Sequence, residues 1–238
     1  MVLNNATKTT DIQALLEDVY QSIKNDDYAA FNNCLSLPHI NDAFCSEPDN
    51  KALRLACTHK RASFVQSLTK NHIIAKKEET FLRSPMTARA DCIMDEPYPL
   101  IAAIVSSDSE TIAALFNSEV YQGIKDDSDA RKHIFKTVWC LCSFMHQSIK
   151  TVSIMQALGI DMNKQEWDAI LSDPVSFWAI DLIDYILDLD DSERGRFLLS
   201  VNRDKLKKAC RAYDFTGAYP KIKKIRKMLD SLCNKEVA

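Results

Sequence analysis

The scarcity of glycine constrains this chain more than any other feature. Four glycines, Gly123, Gly159, Gly195 and Gly217, stand far apart in 238 residues. Phosphate-cradling loops and tight hairpins need clustered glycines, because a residue without Cβ takes left-handed backbone freely and lets other groups come close. A nucleotide-binding α/β fold is therefore not expected, and the chain must turn between its elements with other residue types. Its composition, 46% hydrophobic and 26% charged, is that of an ordinary globular protein able to fill a packed interior.

The segment Tyr98-Pro99-Leu100-Ile101-Ala102-Ala103-Ile104, then Ser107-Asp108, then Ile112, Leu115 and Phe116, resembles both helices of an ankyrin repeat, T-P-L-x-x-A-A-x-x-G-H-x-x-I-V-x-x-L-L. Lys51 to Cys57 repeats the first half, and Phe64, Val65 and Leu68 fall at the second-helix apolar places. Val19, Ile23, Phe31, Cys34 and Leu35 do so earlier, with Asp26-Asp27 at the turn and Ile40-Asn41 similar to the closing V-N of the family. Gly159-Ile160-Asp161-Met162-Asn163 resembles the family's G-A-D-V-N linker, after a helix pair in which Phe144, Val152 and Met155 take core places. Weaker copies follow around Leu171 to Leu187 and Leu206 to Leu229, the last with an insertion around Thr216 to Pro220.

Taking the second alanine place as a marker, the copies fall at Ile23, Cys57, Ile104, Phe144, Val175 and Cys210. The intervals scatter around the roughly 33 residues of an ankyrin unit. The resemblance thus implies an all-α, ankyrin-like solenoid of about six helix-turn-helix repeats, one domain over 1–238, with a long connection at 71–97 and a basic C-terminal repeat at 203–233. Neither helix of such a unit buries its apolar stripe alone, so stacking of neighbours creates the core. The chain departs from the family where Asp26, Lys60 and Ser107 occupy the glycine place between helices. Left-handed backbone costs more there, so regular β-hairpin fingers are not expected in most units. A helical-hairpin solenoid of another kind is the structural alternative.

Eight cysteines are present, and most, like Cys34, Cys57 and Cys210, sit within apolar helical patterns, which suits reduced core residues better than a disulfide framework. The N-terminal residues lack the apolar stretch of a secretory signal, and no apolar run reaches the roughly 18 residues of a membrane span. A soluble, cytoplasmic protein is the expectation. Net charge is −3, yet residues 203–227 carry ten Lys or Arg against Asp204 and Asp214, which leaves the remainder acidic.

No linear motif selects a catalytic site, and no cofactor is expected. Cys140, Cys142 and His146 come nearest to metal ligands, since Cys142 and His146 share a helix face, but a fourth ligand is not evident and buried thiols explain the pattern better. His59 and His72 are expected at the surface beside turns. The aspartates from Asp181 to Asp191 interleave with Leu182, Ile183, Ile186 and Leu187, the pattern of a solvated helix face rather than a calcium loop. Lys207, Lys208, Lys223, Lys224, Arg226 and Lys227 suit the polar outer face of a terminal repeat, with polyanion recognition as the alternative.

The resulting expectation is a monomeric, non-enzymatic protein-interaction module. The resemblance implies binding through the shorter helices and connecting loops, which makes Arg54, His59, Arg83, Arg89, Tyr98 and His146 the candidate contacts with a protein partner. The divergence and the small freestanding stack also look like ankyrin-type effectors that intracellular bacteria deliver into host cells; the partner would then be a host protein in the host cytosol. The competing classes are an enzyme whose pocket is assembled from separate repeats, since sites need not form linear motifs, and an anionic-lipid or nucleic-acid binder led by the basic end.

Overall fold

Residues 3–47, 49–83, 98–145, 148–163, 165–166 and 227 are described by the structure, a computed structural model. Among them are eleven α-helices and no strand. In chain order these are α1 (Leu3–Lys24), α2 (Tyr28–Leu35), α3 (Ile40–Ser46), α4 (Lys51–Thr58), α5 (Ala62–Leu68), α6 (His72–Arg83), α7 (Pro99–Ser106), α8 (Ser109–Phe116), α9 (Glu119–Gln122), α10 (Ser128–Met145) and α11 (Ser148–Ala157). The chain is all-α over these residues.

Four helical hairpins emerge: α1 with α2, α4 with α5, α7 with α8, and α10 with α11. Their first helices pack in sequence order, α1 on α4, α4 on α7 and α7 on α10. The second helices follow, α5 on α8 and α8 on α11, while α2 meets α5 through the rings of Phe31 and Phe64 at 4.7 Å. The resulting core runs along the row of hairpins: Val19, Ile23, Leu53, Ala56, Cys57, Leu100, Ala103, Phe64, Leu68, Leu115 and Phe116 are all buried. Each fully buried Leu or Phe side chain contributes about 1.5–3 kcal/mol. Small residues, Ala52 and Ala56 on α4 and Ala102 and Ala103 on α7, are buried where these two helices pack together.

The hairpin turns explain how a glycine-poor chain manages these reversals. Asp26, Lys60 and Ser107 take φ of 62°, 59° and 61°, left-handed values, each three residues after the buried marker Ile23, Cys57 or Ile104. After α1, Asp27 N–H donates to the Ser22 carbonyl at 2.9 Å and Asp26 N–H to that of Ile23 at 3.3 Å. The same two bonds close α4, from Arg61 to Ala56 at 2.9 Å and from Lys60 to Cys57 at 3.2 Å. This Schellman closure satisfies end carbonyls that would otherwise lack donors. The following helix is then capped by a side chain in two hairpins: Asp27 accepts from Ala30 N–H and Asp108 from Thr111 N–H, both at 2.9 Å.

After each of the first three hairpins, a further helix takes the place of a linker. Ile40 and Asn41, read in the sequence as a closing linker, begin α3, which packs on α1 and α6. The connection expected over 71–97 is helical in its first half, because Asn71 Oδ1 caps α6 by accepting from Ile73 N–H at 3.0 Å and an apolar stripe follows. Helix α6 packs in turn on α9 and α10. The later segment Gly159 to Asn163 is not helical. Gly159 is left-handed at φ 76° and closes α11 with the same pair of bonds, while Ile160 and Met162 are buried. The copies read beyond it, including markers Val175 and Cys210, lie outside the described residues.

Candidate interaction face and buried carboxyls

The candidate contacts separate into two groups. Arg54 and His59 both lie on or at the end of α4, with Arg54 half-buried and His59 exposed at the C-cap beside the left-handed Lys60. The neighbouring turn is tied across hairpins by Arg61 Nη1, which donates to Asp26 Oδ2 at 3.0 Å. His59 therefore lies along an edge formed by successive hairpin turns. His72 is also exposed, at the start of α6.

Arg83 and Tyr98 come together at the corner where α6, α7 and α10 meet. Tyr98, the residue before α7, stacks on Phe81 with ring centres 3.9 Å apart, and Phe81 meets His133 edge-on at 6.2 Å. Two residues along α6, Arg83 Nη1 donates to Asp127 Oδ2 at 2.5 Å and Arg83 Nε to Glu79 Oε1 at 3.1 Å. Asp127 also accepts from Ala130 N–H at 3.0 Å, capping α10. That backbone bond, with the nearby Arg83 and Arg131 guanidiniums, holds its carboxyl below the usual range. Arg83 is exposed and paired with two carboxylates. Arg89, His146, Lys207, Lys208, Lys223, Lys224 and Arg226 lie outside the described residues, and Lys227 is helical and exposed.

A tight ion pair joins α10 to the residues after α11. Arg131 Nη2 donates to Glu166 Oε1 at 2.5 Å and Arg131 Nε to Glu166 Oε2 at 3.3 Å. Glu166 Oε2 also accepts from Asn163 N–H, and Asn163 Oδ1 from Glu166 N–H, a reciprocal capping box. Burial pushes the Glu166 carboxyl up, but the bonds from Arg131, Ser128 and Asn163 prevail and hold it below its ordinary value.

Two other buried carboxyls have no such partner. Glu78 on α6 accepts from the Tyr121 hydroxyl at 2.6 Å and from Asn50 Nδ2 at 3.3 Å, and among the described residues it forms no ion pair. Burial pushes its carboxyl up to about 7. Glu47, between α3 and α4, accepts through Oε1 from the Tyr20 hydroxyl at 2.7 Å and Ala52 N–H at 2.9 Å, while its buried Oε2 has no donor. Burial raises this carboxyl too, against the lowering effect of those bonds and of Lys77 and Lys51. Sequence reading passed over both. Glu78 was detectable: Ile74, Glu78 and Leu82, spaced by four, form one buried stripe of α6.

Among the described residues no group of three or more His, Cys, Asp or Glu side chains is arranged to hold a metal ion, and no helix is long and apolar enough to cross a membrane. Cys34 and Cys57 are buried free thiols, whereas Cys45 is exposed. Burial pushes the Cys57 thiol well above its ordinary value, the opposite of an activated nucleophile. Compared with models of known families, with curated proteins and with solved structures, the chain matches none.

Proposed function

We propose that the chain is a degenerate ankyrin-like solenoid whose task is to bind another protein. One observation carries this reading: hairpins whose first helices pack in sequence order, joined by left-handed turns at the places where the resemblance puts glycine. Such a row presents a long rigid edge of turns and short connecting helices, a surface shaped for a macromolecule rather than for a small substrate. On this reading Arg54, His59 and Tyr98 contact the partner. Arg83 orients the corner through its two carboxylate bonds instead of contacting the partner directly.

The test is affinity capture of the whole chain from cytosolic extract, with quantitative mass spectrometry, beside the variants His59→Glu, Arg54→Glu and Tyr98→Ala. A stoichiometric protein partner lost by at least one variant whose melting temperature is unchanged is the expected result. Retention of every captured protein by all three variants would remove the proposed face. Turnover in a broad substrate screen with no stoichiometric partner would favour the enzyme class instead.

A further inference from the structure

The first three hairpins share one register, and it aligns their open residues as well as their buried ones. In each, the left-handed residue stands three places after the buried Ile23, Cys57 or Ile104. Helices α1, α4 and α7 pack in that order, so residues at the same offset from the marker form rows across them. Places six, three and two before the marker, and one and two after it, are spaced i, i+3, i+4, i+7 and i+8, which is one stripe of a helix. The inner stripe is the buried one: Val19 and Ser22 on α1, and Leu53 and Ala56 on α4, fall four places and one place before the markers.

On α4, the middle helix, the outer stripe is Lys51, Arg54, Leu55, Thr58 and His59 at the C-cap. All five are partly or fully exposed, three are basic and none is acidic. Lys51 reaches over the Tyr20 ring of α1 at 4.3 Å, so the stripes of the two helices adjoin. In the row of Thr58, Lys24 adds a cation on α1 and Val105 an exposed apolar side chain on α7. The one acid in these places, Glu17, accepts from Gln21 Nε2 at 2.6 Å, and Asp26 in the adjoining turn is held by Arg61. Among the described residues none of Lys24, Lys51, Arg54 and His59 is in an ion pair.

The second helices carry no such pattern: the exposed residues of α2, α5 and α8 are uncharged except Glu110. Cations thus gather on the stripe of the first helices, although the chain outside residues 203–227 is acidic. Unpaired cations beside Leu55 and Val105 complement a segment that combines carboxylates with apolar side chains. Packed helix axes lie about 8–10 Å apart, so one peptide can cross from α4 to either neighbour. A nucleic acid or an anionic membrane would extend beyond the stripe to the exposed Asp11, Asp18 and Asp27, where like charge repels it.

We propose that this stripe docks an acidic segment of a partner protein, whose carboxylates meet Lys51, Arg54 and His59 while an apolar side chain rests on Leu55 and Val105. The proposal rests on the protein-binding reading above and adds the chemistry of the partner.

Panning a phage-displayed library of random peptides on the immobilised full chain, followed by fluorescence anisotropy of the enriched peptides, tests it. Enriched peptides should combine Asp or Glu with apolar residues, compete for one site, and bind more weakly at about 1 M than at about 0.1 M salt. The double variant Arg54→Gln, His59→Gln should weaken them by about tenfold. Val105→Ser should weaken them less, and Lys70→Gln, in the turn after α5, should leave them unchanged. Melting temperatures identify the folded variants, and should the double variant unfold, Lys51→Gln and Val105→Ser decide the matter. Enriched peptides without an acidic excess, yet lost with the stripe variants, would overturn the acidic partner and leave the interaction face standing. Acidic peptides indifferent to every stripe variant would overturn the surface and leave protein binding standing. No enrichment, with binding of a single-stranded oligonucleotide or of phosphatidylserine vesicles or with none, would overturn both.

Discussion

Replacing Ala103 by Asp tests the close packing of α7 on α4 by a cost that can be worked out in parts. Ala103 is fully buried on α7, among residues that are buried from Pro99 to Ile104. A neutral carboxyl placed there without a bonding partner loses about 1–3 kcal/mol of hydration. Keeping an acid of ordinary pKa about 3.9 protonated at pH 7 costs a further 4 kcal/mol or so, at about 1.36 kcal/mol per pH unit. The total, about 5–7 kcal/mol, rivals the whole stability of a typical domain, about 5–15 kcal/mol. Ala103→Asn adds nearly the same volume and a polar group but no titration, so overpacking cancels between the two variants. Urea unfolding from about pH 4 to pH 7 should show the two together at low pH and separated by about 4 kcal/mol at pH 7. An Ala103→Asp midpoint equal to that of the wild type, or identical pH profiles for the two variants, would show that Ala103 does not sit at a dry helix contact.

Lys60→Gly should raise stability by about 0.5–1 kcal/mol, since relief of the left-handed Cβ contact outweighs the extra freedom of the unfolded chain; a lower melting temperature would refute that turn. Glu166→Ala leaves the largely covered Arg131 guanidinium without its carboxylate and removes half a capping box, so a loss of about 3 kcal/mol is expected in chemical denaturation. Stability should also depend on pH through Glu78: its folded value lies above its unfolded one, so its contribution is full below about pH 4.5 and is lost as pH rises to about 7, about 3 kcal/mol in all. Glu47 adds to the same fall, whereas Asp127 and Glu166, shifted downward, stabilise at higher pH and lose that effect only in acid. Glu78→Gln should flatten the slope between about pH 4.5 and 7 in thermal melts, and an unchanged slope would refute the assignment.

The hairpins were legible in the sequence because their determinants are local. Apolar residues at three- and four-residue spacing mark the buried face of each helix, and Ile23, Cys57 and Ile104 each lie three positions before a left-handed turn. The missing glycines fit the lack of strands among the described residues, yet they do not prevent the turns. Asp26, Lys60 and Ser107 adopt the left-handed conformation despite their Cβ atoms, since the end-of-helix hydrogen bonds and the stack fix the turn and absorb a cost of about 1–2 kcal/mol. The linkers were harder to read. Ile40-Asn41 resembles a closing pair, yet Ile40 joins Ala43 and Phe44 on the buried side of a short helix while Asn41 stays exposed, and packing on α1 and α6 selects that outcome.

The candidate site was less legible, and Glu78 shows why. Lys76, Lys77, Glu78 and Glu79 form an unbroken charged run that reads as a solvated surface. Helical geometry divides the run: Lys76 and Glu79 are exposed, Lys77 turns toward the carbonyls of Phe44 and Glu47, and Glu78 falls between Ile74 and Leu82. The four-residue spacing was available from the sequence, so Glu78 could have been placed on the apolar stripe. Its partners could not, because Asn50 and Tyr121 lie 28 and 43 residues away and approach only when neighbouring hairpins pack. Those distances also determine what the group can report. A carboxyl bonded within its own helix would register the opening of that helix, whereas Glu78, bonded to the loop before α4 and to α9, registers whether successive hairpins remain packed together.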